Sequence, residues 1–78
     1  MDIIVYTTEH CVSCNAILKY LQAKELSYRQ LDVGINKENF NEMLQLGGIA
    51  TPFIIIGTQK LHTFDRNKIE EVLRNEHG

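Results

Sequence analysis

Cys11 and Cys14 are the only cysteines in the chain and stand as Cys-Val-Ser-Cys. A pair at this spacing can staple the fold, hold a metal or exchange with other disulfides. A staple explains it poorly, because so short a loop removes little entropy from the unfolded chain. A structural zinc site needs four ligands, and the chain adds only His10, His62 and His77, with no second cysteine pair. Exchange chemistry fits the setting. The pair follows an apolar run, Ile3-Ile4-Val5-Tyr6-Thr7, and precedes apolar residues at Ile17, Leu18 and Leu21. The first reads as a buried strand and the second as one face of a helix. Cys11 then sits at a helix N-terminus, where unpaired N–H groups and the helix dipole favour thiolate over thiol. Its thiol is expected to titrate below the ordinary ~8.5.

The elements that must hold this pair can be read in order. Strand one covers roughly residues 3–7 and helix one roughly 12–24. Tyr28-Arg29-Gln30-Leu31-Asp32-Val33 alternates polar and apolar residues, as a strand with one exposed face would. Parallel pairing of the two strands across the helix gives a right-handed βαβ unit. Asn36 is a good N-cap for a second helix, with Ile35 and Phe40 placed for a hydrophobic staple. Phe40, Met43 and Leu44 are expected to form its buried face, and Gly47-Gly48 to end it. Pro52-Phe53-Ile54-Ile55-Ile56 reads as a central strand, turning at Gly57-Thr58 and returning through Gln59 to Thr63. Asp65 is the candidate cap of the last helix, with Phe64 stapled to Ile69 and a face of Ile69, Val72 and Leu73.

Composition bounds the partners. The chain has 78 residues, enough for one domain with a small core. A net charge of -2 and a pI near 5.8 with scattered basic residues argue against nucleic acid. No apolar stretch is long enough to span a membrane, and the segment after Met1 carries Asp2 and is too short for a signal peptide. A cytoplasmic location is therefore expected, where such a pair is more often catalytic or metal-binding than structural. Tyr6 reads as half-buried packing; Lys19, Lys24 and Arg29 read as solvated; Tyr20 and Tyr28 carry no functional signal.

The order βαβ then αββα, with Cys-x-x-Cys after strand one and Thr51-Pro52 opening strand three, resembles the thioredoxin fold in its smallest form. Within that fold the chain is similar to the glutaredoxin family. Val5-Tyr6-Thr7-Thr8 leading to Cys11-Val12-Ser13-Cys14, then Ala50-Thr51-Pro52, then Phe64-Asp65 carry the resemblance from end to end. It implies an α/β domain over residues 1–78, βαβαββα, with a four-stranded mixed sheet flanked by three helices. It also implies a dithiol–disulfide oxidoreductase with Cys11 as the attacking and Cys14 as the resolving cysteine. Pro52 matches a proline that is cis in the family, and Thr51 offers the backbone groups to which a peptide or glutathione pairs. His10, Val12, Phe64 and Asp65 complete the implied substrate-binding set, although His10 alone reads as an exposed loop residue and Asp65 as a helix cap.

Departures from the family pattern bear on the electron donor. Val12-Ser13 stands where many glutathione-dependent glutaredoxins carry Pro-Tyr, and Thr8-Glu9-His10 lacks their Lys or Arg. His62-Thr63-Phe64-Asp65 lacks their Gly-Gly pair. Val12-Ser13 and Phe64 are closer to the small redoxins that deliver electrons to ribonucleotide reductase, although the Trp-Ser-Gly-Phe of those proteins is Leu61-His62-Thr63-Phe64 here. The resemblance thus implies a monomer with no bound cofactor, recharged by glutathione or by thioredoxin reductase, and reducing protein or glutathione mixed disulfides. Its alternative is an iron–sulfur or metal carrier that uses Cys11 of two chains across a dimer.

Overall fold

The computed structural model describes residues 2–77, with side chains described through Asn75. Its elements are β1 (Ile3–Thr7), α1 (Val12–Ala23), β2 (Arg29–Asp32), α2 (Lys37–Gln45), β3 (Phe53–Ile56), β4 (Gln59–Leu61) and α3 (Arg66–His77). The four strands form one mixed sheet in the order β2-β1-β3-β4. β1 pairs parallel with β2 and antiparallel with β3, and β3 pairs antiparallel with β4. This is the βαβαββα arrangement expected from the sequence. The crossover through α1 is long enough to bring β2 alongside β1 in the same direction, whereas Gly57-Thr58 joins the antiparallel β3 and β4 in a two-residue turn. Gly57 leads that turn at φ 61°, a conformation that costs glycine nothing.

Side chains alternate across the sheet and so build two cores. On the face covered by α1 and α3, Ile3, Val5, Ile54, Ile56 and Leu61 meet Ile17, Leu21, Ile69 and Val72. On the α2 face, Tyr6 and Phe53 meet Val33 and Met43. Asp65 caps α3 by accepting the Lys68 N–H at 3.2 Å, and Phe64 packs against the cluster that contains Ile69.

The second helix departs from expectation. Asn36 caps it, accepting the N–H groups of Glu38 and Asn39 at 2.9 and 3.2 Å. Of its apolar residues, however, only Met43 is buried; Phe40 is 40% and Leu44 44% exposed. The staple is also absent, since Ile35 is 79% exposed. The cause is the rotation of the helix about its axis. At about 100° per residue, Asn39, Glu42 and Leu46 lie on one side of Met43, and Phe40 and Leu44 on the other. The first side carries the anchors: Asn39 Nδ2 donates to the Asp32 carbonyl at 3.1 Å, and Glu42 accepts from the Tyr6 hydroxyl at 2.6 Å. Tyr6 is correspondingly fully buried rather than half-buried, because β1 lies between two strands and beneath α2.

A Schellman turn ends α2, with the Gly48 N–H on the Met43 carbonyl and the Gly47 N–H on that of Leu44. Gly47 takes φ 98° there. Gly48 is needed for space, since a Cβ would lie 2.6 Å from Phe53 Cγ and 2.7 Å from Met43 Cγ. This turn delivers the chain to Thr51 and Pro52.

Candidate active site

β1 ends at Thr7, and a short loop carries the chain to the start of α1. His10 adopts φ 57°, and Cys11 returns to extended backbone at φ -103°, ψ 104° as the N-cap residue of α1. A cap residue needs an acceptor for the unpaired N–H groups of the first turn. Here the acceptor is sulfur: Cys11 Sγ takes the Cys14 N–H at 3.1 Å. No acidic side chain occupies that turn to offset the positive end of the helix.

Cys11 and Cys14 are joined as a disulfide with their Cα atoms 5.2 Å apart. Their environments differ sharply. Cys11 is partly exposed, while Cys14 is 1% exposed and lies one turn deeper in the helix. A chemical partner approaching from solvent therefore meets Cys11 first. Beside it Val12 is 83% exposed and Ser13 is also exposed, so the helix start presents an apolar side chain at the surface.

The second wall of the site comes from the loop before β3. The Thr51–Pro52 peptide bond is cis, as the resemblance implied, and Pro52 is buried while Thr51 is half-buried. The Thr51 hydroxyl lies 3.9 Å from Cys11 Sγ and 3.1 Å from the Thr8 hydroxyl. Ile49, two residues before Thr51, is 85% exposed. Cys11, Cys14, Thr51 and Pro52 are thus brought to the end of the sheet where β1 stops and β3 begins. Thr8 joins them, although the sequence reading passed over it. The available signal was a pair of polar residues, Thr7-Thr8, closing an otherwise apolar strand.

The remaining candidates lie apart from this cluster or at its edge. His10 is exposed, as its loop position suggested. Phe64 is partly buried, with its ring centroid 5.8 Å from that of Tyr20. Asp65 spends its carboxylate on the α3 cap. Both line an open cleft formed by Thr63, Phe64, Asp65, Arg66, Asn67 and Glu70, which contains neither cysteine. His62 lies against the ring of Phe53 at 5.3 Å. Among the described residues no three His, Cys, Asp or Glu side chains are grouped to hold a metal, and the His77 side chain lies outside them.

Two tyrosines outside the cluster have perturbed hydroxyls. Burial pushes Tyr6 up to about 12, the hydrogen bond and the negative charge of Glu42 add to the rise, and Arg29 opposes it. Tyr20 is also raised, first by burial and then by Glu70, which accepts its hydroxyl at 3.3 Å. Neither hydroxyl reaches the sulfurs by a hydrogen bond, so they serve the fold.

A family model of glutaredoxins matches residues 3–61. No curated protein matches the chain. Among solved structures, the thioredoxin-like protein BC3987 is similar with a TM-score of 0.85 at 24% identity, over 91% of this chain and 99% of that one. The glutaredoxin-like NrdH-redoxin from Escherichia coli aligns with a TM-score of 0.82 at 22% identity, covering 92% of this chain and 95% of that one. A glutaredoxin from Archaeoglobus fulgidus gives 0.79 at 15%, covering 94% and 86% respectively. At these identities the structural likeness is one of thioredoxin-like fold.

Proposed function

The chain belongs to the glutaredoxin family, and we propose that it is a dithiol–disulfide oxidoreductase in which Cys11 attacks and Cys14 resolves. The observation that carries this reading is the asymmetry of the pair. The sulfur of Cys11 is reachable and sits at a helix N-terminus with an N–H donor at 3.1 Å, while Cys14 is buried behind it. The reduced Cys11 thiolate attacks one sulfur of a substrate disulfide, forming a mixed disulfide and releasing the other sulfur as a thiolate that takes up a proton. Cys14, after losing its proton, attacks Cys11 Sγ and expels the second substrate thiolate. Two electrons have then passed to the substrate, leaving the Cys11–Cys14 disulfide. A donor supplies two electrons and two protons to reopen it.

Thr51 and Pro52 form the wall along which an extended substrate segment would pair, with Val12 and His10 at the other rim. Phe64 and Asp65 would contact only a larger partner that reaches the α3 cleft. For the donor we favour a thioredoxin-reductase-type flavoprotein over glutathione. Before Cys11 the chain offers Glu9 rather than a cation, and His62-Thr63-Phe64 ahead of Asp65 lacks the Gly-Gly pair, so little is provided for the carboxylates of glutathione. The E. coli NrdH-redoxin, described as having a thioredoxin-like activity profile, supports the same choice. Ribonucleotide reductase is the protein substrate this reading puts first. Its setting would be the cytoplasm, with the redoxin acting as a monomer that needs no bound cofactor.

The test is NADPH consumption with a disulfide substrate, comparing thioredoxin reductase alone with glutathione plus glutathione reductase. Turnover with the former is expected; turnover only with the latter would overturn the donor assignment. Cys11→Ser should abolish exchange in either system. Cys14→Ser should accumulate a mixed disulfide visible by mass spectrometry, and unchanged turnover of protein disulfides in that variant would refute the two-cysteine mechanism.

A further inference from the structure

We propose that Thr8 is a positioning residue for the redox sulfur: its hydroxyl donates to Thr51 Oγ1 and thereby directs the Thr51 proton onto Cys11 Sγ. The inference rests on the functional reading above, in which Cys11 works as a thiolate. It begins from two separations, 3.1 Å between the Thr8 and Thr51 hydroxyls and 3.9 Å from Thr51 Oγ1 to Cys11 Sγ. The three residues come from the end of β1, the loop before β3 and the start of α1, and only the folded chain brings them into line.

A threonine hydroxyl has one proton and two lone pairs. If Thr51 donates to Thr8, the sulfur faces a lone pair of Thr51 Oγ1. If Thr8 donates to Thr51, the only proton on Thr51 is free to point at the sulfur. A disulfide or thiol sulfur is a weak acceptor and discriminates little between these arrangements. A thiolate is a strong acceptor and selects the second. Charge on Cys11 and the direction of the hydroxyl pair are therefore coupled, and Thr8 contributes by giving the favourable direction its second hydrogen bond. The donation adds to the Cys14 N–H at 3.1 Å on the same sulfur.

Thr8 and Thr51 are half-buried, which limits the water available to replace a lost partner. The charged neighbours do not compete for these hydroxyls. Glu9 and His10 are exposed, and the nearby Asp32 carboxylate is occupied by the N–H groups of Gly34 and Ile35 at 2.7 and 3.0 Å. A valine at either threonine keeps the shape and removes the hydroxyl, so the relay can be cut at each link.

The experiment follows alkylation of the reduced full chain by iodoacetamide against pH. Cys14 is buried, so the rate reports the Cys11 thiolate. Thr8→Val should raise the apparent pKa of Cys11 by about 0.5–1 unit, a three- to tenfold fall in thiolate fraction below the pKa. Thr8→Ser should restore it. Thr51→Val should raise it at least as far, and adding Thr8→Val to Thr51→Val should change nothing more. A Thr8→Val curve that overlays the wild type would overturn the proposal, and so would an equal shift from Thr8→Val in the Thr51→Val background. If Thr8→Val does not fold, Thr51→Val and Thr8→Ala are compared in its place with the same two criteria. The readout needs no turnover, so a wild type that reduces no disulfide would overturn the functional reading, whereas a flat Thr8 series would overturn this one.

Discussion

Tyr6→Phe separates the buried hydroxyl from the ring that packs around it. The ring lies 5.8 Å from that of Phe53 and stays in place, while the 2.6 Å bond to Glu42 is lost. At neutral pH the cost should be about 1 kcal/mol, because the abandoned acceptor is exposed and water can take the place of the hydroxyl. The larger effect lies at alkaline pH. Burial, aided by Glu42, raises Tyr6 from 10.0 to about 12 in the folded protein. A raised folded value gives stability that is fully present below pH 10 and is lost as pH climbs towards 12. At about 1.36 kcal/mol per unit, the whole loss is about 2–3 kcal/mol, and the step from pH 10 to 11 accounts for about a third of it. That is substantial for a domain of this size, whose total stability should be about 4–12 kcal/mol. The assay is urea unfolding of the oxidised protein from pH 8 to 11.5, wild type against Tyr6→Phe. The cysteines are bonded and do not titrate, and Tyr20 contributes equally to both proteins. Wild-type stability should fall more steeply above pH 10. Parallel curves would refute the link between the Glu42 contact, burial and the raised Tyr6 hydroxyl.

Three further outcomes follow from the backbone. Gly48→Ala should cost about 1–3 kcal/mol in denaturant unfolding, since its Cβ would lie 2.6 Å from a Phe53 ring already held by Tyr6 and His62. Glu25 sits at φ 57° in the Schellman turn that ends α1, with the Leu26 N–H on the Leu21 carbonyl. Glu25→Gly should therefore raise Tm by about 3–6 °C, the strain it relieves exceeding the entropy glycine loses on folding. Asp65→Ala should destabilise the protein by about 1 kcal/mol with recovery in Asp65→Asn, and an unchanged melting curve would remove the cap as the role of that carboxylate.

Much of the site was legible because it depends on local chemistry. The Cys-x-x-Cys after an apolar strand, and the lone proline before another, mark a strand–loop–helix and a strand entry without tertiary knowledge. Thr7-Thr8 marks the end of an apolar strand in the sequence, but the meeting of Thr8 with Thr51 was not legible, because the two lie 43 residues apart. The failure at α2 has a different origin. The apolar period at Phe40, Met43 and Leu44 is helical as read, yet a period sets only which residues share a stripe. Asn39 and Glu42 turn the helix so that the sheet receives Met43 and Leu46 instead.

The order of elements, their caps and turns, and the placement of two thiols at a helix start were determined by the sequence alone, since each depends on neighbours within a few residues. The tertiary structure decided the rotation of α2, the burial of Tyr6, and the meeting of Thr8, Thr51 and Cys11. Those features depend on hydrogen bonds between segments far apart in the chain, and a single such bond can outweigh the weak directional preference of an apolar stripe.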